Sequence, residues 1–111
     1  MRTLNHPPSD RLDLSLILDA LSDPIRRKIV VRLASCTEAV CSSFGSCAPK
    51  TNLSYHFARL REAGLIRVRQ EGTQRFTSLR LADVEARFPG LLPSVIEADK
   101  QDGEPSVVPG S

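Results

Sequence analysis

The chain has few cysteines, few histidines and no long apolar run, and each shortage narrows what it can be. No stretch of about 18 apolar residues occurs, so no membrane span is expected. The first ten residues contain no apolar core of the kind a secretory signal needs, which points to a cytoplasmic protein. Three cysteines, at 36, 41 and 47, are an odd number, and structural disulfides are not the first expectation in a reducing compartment. Two histidines, His6 and His56, are too few for a histidine-rich metal site. The sequence has no G-x-S-x-G, HExxH or P-loop pattern and no carboxylate pair placed with a histidine, so an enzyme is not expected.

What remains is 111 residues with 41% hydrophobic and 25% charged composition, enough for one modest domain. The net charge of +2 is unevenly spread. Residues 50–80 hold seven Lys/Arg against two Asp/Glu, net +5, whereas residues 81–111 hold two against six, net −4. A basic middle beside an acidic end suggests a surface that faces phosphate.

Residues 1–10 contain Pro7 and Pro8 and no apolar pattern, and are expected to be a flexible leader. From Leu12 to Leu21 the apolar residues fall at helical spacing on a wide face, which calls for cover on more than one side, such as a dimer partner. Asp23-Pro24 reads as an N-cap followed by proline at the first helical position. Ile25, Ile29, Val30 and Leu33 then form a stripe, with Arg26, Arg27, Lys28 and Arg32 mostly on the other side. Residues 36–49 leave room for one or two helical turns around Glu38 to Phe44. Pro49 opens another helix, in which Leu53, Phe57 and Leu60 share a face and Gly64 is the stop. Two β-prone runs, 65–69 and 75–79, flank a glycine-containing turn and predict a hairpin. Val68 and Phe76 are expected to face the body, with Arg69 and Arg75 beside the tip. The last element, about 82–97, contains Pro89 and Pro93 and should be two short helices or one bent one. Residues 99–111 are expected to be a disordered tail.

This order gives a mainly α fold with a small β-hairpin, a winged helix-turn-helix over residues 11–98. The dimer is expected on the first and last helices. Residues 18–27 (LDALSDPIRR), 52–66 (NLSYHFARLREAGLI) and 71–76 (EGTQRF) resemble the ArsR/SmtB family of bacterial winged-helix transcriptional regulators. The similarity spans about Leu16 to Ile96. It implies a homodimeric repressor that binds double-stranded operator DNA and releases it when an inducer binds. A two-fold protein should read an inverted repeat with half-sites about one turn apart.

The helical wheel and the charge pattern name the DNA-facing candidates. Lys50 and Thr51 suit phosphate at a helix N-terminus. Asn52, Ser54, Tyr55 and Arg59 suit base edges, although Tyr55 equally fits the edge of the core. His56 fits either DNA contact or a packed position. Arg69 and Arg75 suit the backbone beside the wing. Cys36, Cys41 and Cys47 are the candidate sensor. Three thiolates could hold arsenite or another soft ion. Alternatively, a lowered thiol pKa at Cys47 and a resolving partner would make an oxidant or electrophile switch. A third alternative is that free cysteines serve as small hydrophobes. The family's Cys-x-Cys pattern is matched only at Cys41. A winged-helix protein-interaction module without specific DNA binding is the competing function.

Overall fold

The structure is a computed structural model describing residues 2–3, 6–40 and 50–102. Two aspartates start the first two helices. The Asp13 carboxylate accepts hydrogen bonds from the amides of Ser15 (2.8 Å) and Leu16 (3.3 Å), opening α1 (Leu14–Leu21). Asp23 does the same for Ile25 (2.8 Å) and Arg26 (3.3 Å), with Pro24 at the first position of α2 (Pro24–Ala34). Both caps satisfy amides that would otherwise lack partners. Burial tends to raise the Asp23 pKa, but the two amide donors, with His56 and Arg26 nearby, outweigh it and hold the carboxyl below its ordinary value.

After α2 comes a two-residue strand, β2 (Ala39–Val40), where the spacing predicted the start of a short helix. The two residues pair with the wing, so β pairing replaces the helical turn there. Residues 41–49 lie outside the described residues. The chain continues with α3 (Lys50–Ala63), β3 (Ile66–Glu71), β4 (Gln74–Leu79), α4 (Leu81–Arg87) and α5 (Leu91–Asp102). The last segment is thus two helices, separated by Pro89 and by Gly90 at φ +83°.

Helix α3 ends as its glycine predicts. Gly64 has φ +86°, the amide of Leu65 reaches back to the Leu60 carbonyl (3.0 Å), and that of Gly64 to the Arg61 carbonyl (3.0 Å). This pair of bonds is the Schellman pattern, which only a residue comfortable at positive φ allows.

The core joins the helices to one face of the hairpin. Ile17, Ala20 and Leu21 of α1, Ile29, Val30 and Leu33 of α2, and Leu53, Phe57 and Leu60 of α3 are buried together with Leu65, Ile66, Val68, Val84, Leu92 and Ile96. The register corrects one sequence expectation. Val68 is opposite Thr77, not Phe76. Thr77 is therefore the residue buried against the body, and Phe76 lies on the other face.

The N-terminal segment is not a loose leader. Residues Arg2–Thr3 form β1, antiparallel to β3, and complete a four-stranded sheet in the order β1-β3-β4-β2. The His6 Nε2 accepts from the amide of Val68 (2.8 Å). The Pro7 carbonyl accepts from the Arg80 guanidinium (2.8 Å). Arg87 donates to the carbonyls of Asp10 and Leu12 at 3.0 Å each. Leu12 precedes α1 and is buried as a plug. These polar ties were invisible to an analysis of apolar periodicity. The C-terminal boundary also moves, because Asp99 lies within α5 and pairs with Arg27 of α2 at 2.9 Å. Residues 103–111 lie outside the described residues.

The Leu12 plug sits directly over Gly64. A Cβ on residue 64 would overlap Leu12 Cδ2, and the positive φ disfavours any L side chain. Gly64→Ala is expected to lower the unfolding free energy by about 2 kcal/mol or more, read from urea titration. A midpoint equal to wild type would contradict the plug.

Candidate nucleic-acid interface

Helix α3 is amphipathic in the sense that matters for docking. Leu53, Phe57 and Leu60 anchor it to the body, and Asn52, Ser54 and Tyr55 are exposed. Tyr55 is 58% exposed, which favours the surface over the core-edge alternative. Lys50 and Thr51 occupy the first turn of the helix, where the free amides favour an anion.

His56 does not share that surface. It is 6% exposed, and its Nδ1 lies 3.3 Å from the Arg26 guanidinium. A guanidinium only donates, so this nitrogen is the acceptor and the ring proton sits on Nε2. The packed alternative therefore describes His56, and a DNA contact through it is set aside because DNA cannot reach a ring enclosed by the body. Arg26, expected on the outer side of α2, is likewise buried. Its Nε donates to the Ala20 carbonyl (2.7 Å) and a terminal nitrogen to the Asp19 carbonyl (3.3 Å). A cation is thus seated on the carbonyl end of α1, where the helix dipole favours it, and the same group touches α3. Sequence periodicity missed this residue because charged residues are normally assigned to the solvent side.

Arg59 is half-exposed and engaged. It donates to the Asp19 carboxylate at 2.5 Å and lies 3.9 Å from Glu62. The bond to Asp19 strengthens its proton affinity. The guanidinium proposed for a base edge thus already ties α3 to α1.

The wing sorts its arginines. Arg67 approaches Asp83 at 3.6 Å. Arg69 is bound at 2.9 Å by each oxygen of Glu38 and at 3.1 Å by Glu71. It also covers the Phe76 ring, with its guanidinium carbon 4.5 Å from the centroid. Two charge-assisted bonds to one carboxylate make the Arg69–Glu38 pair a strap across the sheet. Arg69 is consequently an internal fastener rather than a free phosphate ligand. Arg75 is exposed, and among the described residues it has no carboxylate partner.

Of the three sensor candidates, Cys36 is a free, exposed thiol after the end of α2. Its Sγ lies 3.6 Å from the Arg32 carbonyl. Cys41 and Cys47 fall outside the described residues. Among the described residues no group of three His, Cys, Asp or Glu is placed to hold a metal. No helix among them is long and apolar enough to cross a membrane.

An exposed helix face of polar residues, a hairpin beside it with an exposed arginine, and an order of helices matching both define a winged helix-turn-helix protein. Residues 21–69 match a helix-turn-helix domain family. Over 79 residues the chain is 39% identical to an uncharacterized HTH-type transcriptional regulator, YceK, of Bacillus subtilis, covering 68% of this chain and 79% of that one. A crystal structure of an ArsR family transcriptional regulator superposes with a TM-score of 0.60 at 22% identity, covering 94% of this chain and all of the other. The chain belongs to the HTH-type transcriptional regulators, a class of DNA-binding proteins and not of enzymes, and it has the winged-helix fold of the ArsR family.

The wing strap carries a pH dependence. Its hydrogen bonds from Arg69 hold the Glu38 carboxyl below its ordinary value of 4.5. Folded protein therefore binds fewer protons at this site than unfolded chain, and the stabilisation is present above about pH 4.5 and lost as pH falls through the folded value. In urea unfolding between pH 6 and 3, Glu38→Gln is expected to be less stable than wild type at pH 6 and to lose less on acidification. Parallel profiles would contradict the strap.

Proposed function

We propose that the protein is a repressor that binds operator DNA as a homodimer and is released by thiol chemistry. The observation that carries the DNA part is the exposure of Asn52, Ser54 and Tyr55 around a helix whose opposite face is locked in the core. A helix so presented fits the major groove, where amide and hydroxyl side chains read base edges. Lys50 and Thr51 supply phosphate contacts at the helix start, and Arg75 supplies one from the wing. Arg59, at the far end of the same helix, meets a base only through the N–H edges that Asp19 leaves free.

The homodimer is supported by α1. Leu14, Leu16 and Leu18 are 43%, 49% and 48% exposed; they flank the buried Ile17–Leu21 stripe on both sides, Leu14 and Leu18 on one and Leu16 on the other, apolar surface that a second copy would cover. Beside it α1 and α5 flank an open hollow lined by Leu18, Leu21, Val95 and the Arg27–Asp99 pair. Pairing through these helices sets two α3 helices on one duplex, and an inverted-repeat operator with half-sites about one turn apart follows.

The signal reading rests on three cysteines within twelve residues, 36–47. Soft ions such as arsenite take thiolate ligands, and an oxidant would convert a thiolate to a sulfenic acid that a second thiol condenses with. Cys36, Cys41 and Cys47 are the residues for either chemistry. The segment they occupy joins α2 to α3, so a covalent or metal link within it acts on the position of the recognition helix.

Fluorescence anisotropy of reduced protein on DNA from upstream of its own gene tests the reading. Salt-sensitive specific binding is expected, reversed by arsenite or by peroxide. Reversal by arsenite assigns a soft-metalloid site. Reversal by peroxide, restored with dithiothreitol while arsenite has no effect, assigns a thiol switch. No specific binding at low salt would overturn the repressor and favour a protein-interaction module.

A further inference from the structure

Asp19 is held more firmly than an exposed carboxylate requires. Its carbonyl accepts from the Ser22 amide (3.2 Å), the Ser22 hydroxyl (2.6 Å) and the buried Arg26 guanidinium (3.3 Å). From this anchored backbone the side chain, 54% exposed, crosses from α1 to α3 and accepts from Arg59 at 2.5 Å. A lone surface ion pair of this kind contributes little to stability. Its place on the molecule gives it another use. Asn52, Tyr55 and Arg59 follow one another at spacings of three and four residues, so they share one strip of α3. Arg59 is the cation of that strip, and Glu62 continues it by three more residues.

Arg59 is flanked by two carboxylates. One terminal nitrogen is on Asp19, and the other lies 3.9 Å from Glu62. One positive and two negative groups give a net charge of −1 there. The other cation of this junction, Arg26, is buried and has the Asp23 carboxylate near it. A phosphate and a base edge are therefore received differently. A phosphate is an anion, and it meets an arginine whose charge is already more than cancelled. Guanine offers neutral acceptors, O6 and N7, which need only the N–H groups that the carboxylates leave. Specificity is a difference of affinities, so weakening the wrong contact raises it as effectively as improving the right one.

We propose that Asp19 is a positioning residue for sequence specificity: it holds Arg59 and cancels its charge, reserving this arginine for base edges and denying it to the phosphates of arbitrary DNA. The proposal rests on the DNA-binding reading given above and adds to it a residue that acts through another. Released from Asp19, the same guanidinium becomes a general phosphate ligand, which positions a protein without reading sequence.

The test is the salt dependence of binding of the full chain to two duplexes, one of random sequence and one from upstream of its own gene. Each phosphate contact contributes about 0.9 to the slope of log K against log salt. Asp19→Asn is expected to steepen the slope on random DNA by about 0.9 and to tighten that binding several-fold at low salt. Binding to upstream DNA gains less, so the preference between the duplexes falls. Asp19→Glu keeps the charge and is expected to keep the wild-type slope. The double variant Asp19→Asn with Arg59→Ala is expected to lose the steepening, because the group that reaches phosphate is gone. Arg59→Ala alone is expected to weaken binding to upstream DNA more than to random DNA. A wild-type slope in Asp19→Asn, a steepening that survives Arg59→Ala, or equal weakening of both duplexes by Arg59→Ala overturns this inference alone. Wild type that binds both duplexes alike, or neither, overturns it together with the DNA-binding reading.

Discussion

The structure depends on one buried cation. Arg26 stands at the junction of three helices, its guanidinium on the carbonyl end of α1, its backbone in the first turn of α2, and His56 of α3 against its remaining edge. A buried guanidinium is tolerated only when its donors are matched, and here carbonyls and an imidazole match them. The arrangement is directional. Apolar packing of Leu53, Phe57 and Leu60 would hold α3 to the body at several rotations, whereas the His56–Arg26 bond selects one. That rotation is the one that leaves Asn52, Ser54 and Tyr55 outside. The presentation of α3 is thus set from inside the protein by a buried residue. The Asp19–Arg59 pair reinforces it at the surface, joining the same two helices two turns from the reading end. Being exposed, this second link is the weaker of the two.

The wing follows a comparable logic with charge in place of packing. Four strands are short for an independent sheet, and the hairpin extends beyond the body. Glu38 and Arg69 fasten β2 and β3 across β4, and β1 closes the opposite edge. The outer edges β1 and β2 are only two residues long, and such short edge strands offer little open backbone for strand pairing between molecules. The strap connects to function through its location. Glu38 lies two residues beyond Cys36 and directly before β2, at one end of the cysteine-bearing segment, and α3 begins at the other.

The helices were legible because their signals are local. Asp23-Pro24 marks a start whatever surrounds it, Gly64 marks a stop, and the 53/57/60 spacing names a buried face. The hairpin was legible from its turn, but its facing was not: one residue of register decided that Thr77 rather than Phe76 is buried, and register depends on partners distant in sequence. Arg26 and Arg69 were assigned by residue type and position to solvent or to DNA, and each is instead held by polar partners that the pattern does not show, Arg26 by His56 and Arg69 by Glu38 and Glu71. For His56 the wheel left packing and DNA contact open, and its partner Arg26 decides for packing; Arg59 faces outward as expected but is also tied to Asp19. The N-terminal strand escaped notice for the same reason, since neither two extended residues nor a histidine accepting from a distant amide leave a periodic trace. Exposure of Asn52 and Ser54 was predictable because it is the complement of a clear apolar stripe, whereas the wheel left Tyr55 between the surface and the core edge.

The central claim is that one rigid surface, the first half of α3 with the wing tip beside it, meets DNA while the other faces of the molecule do not. Titration of duplex DNA from upstream of its own gene into isotopically labelled protein, followed through backbone amide resonances, tests this residue by residue. The account predicts the largest shifts at Asn52, Ser54, Tyr55 and residues 70–75, with α4 (Leu81–Arg87) unchanged. Shifts centred on α1 and α5, or spread evenly over the basic surface, would contradict it.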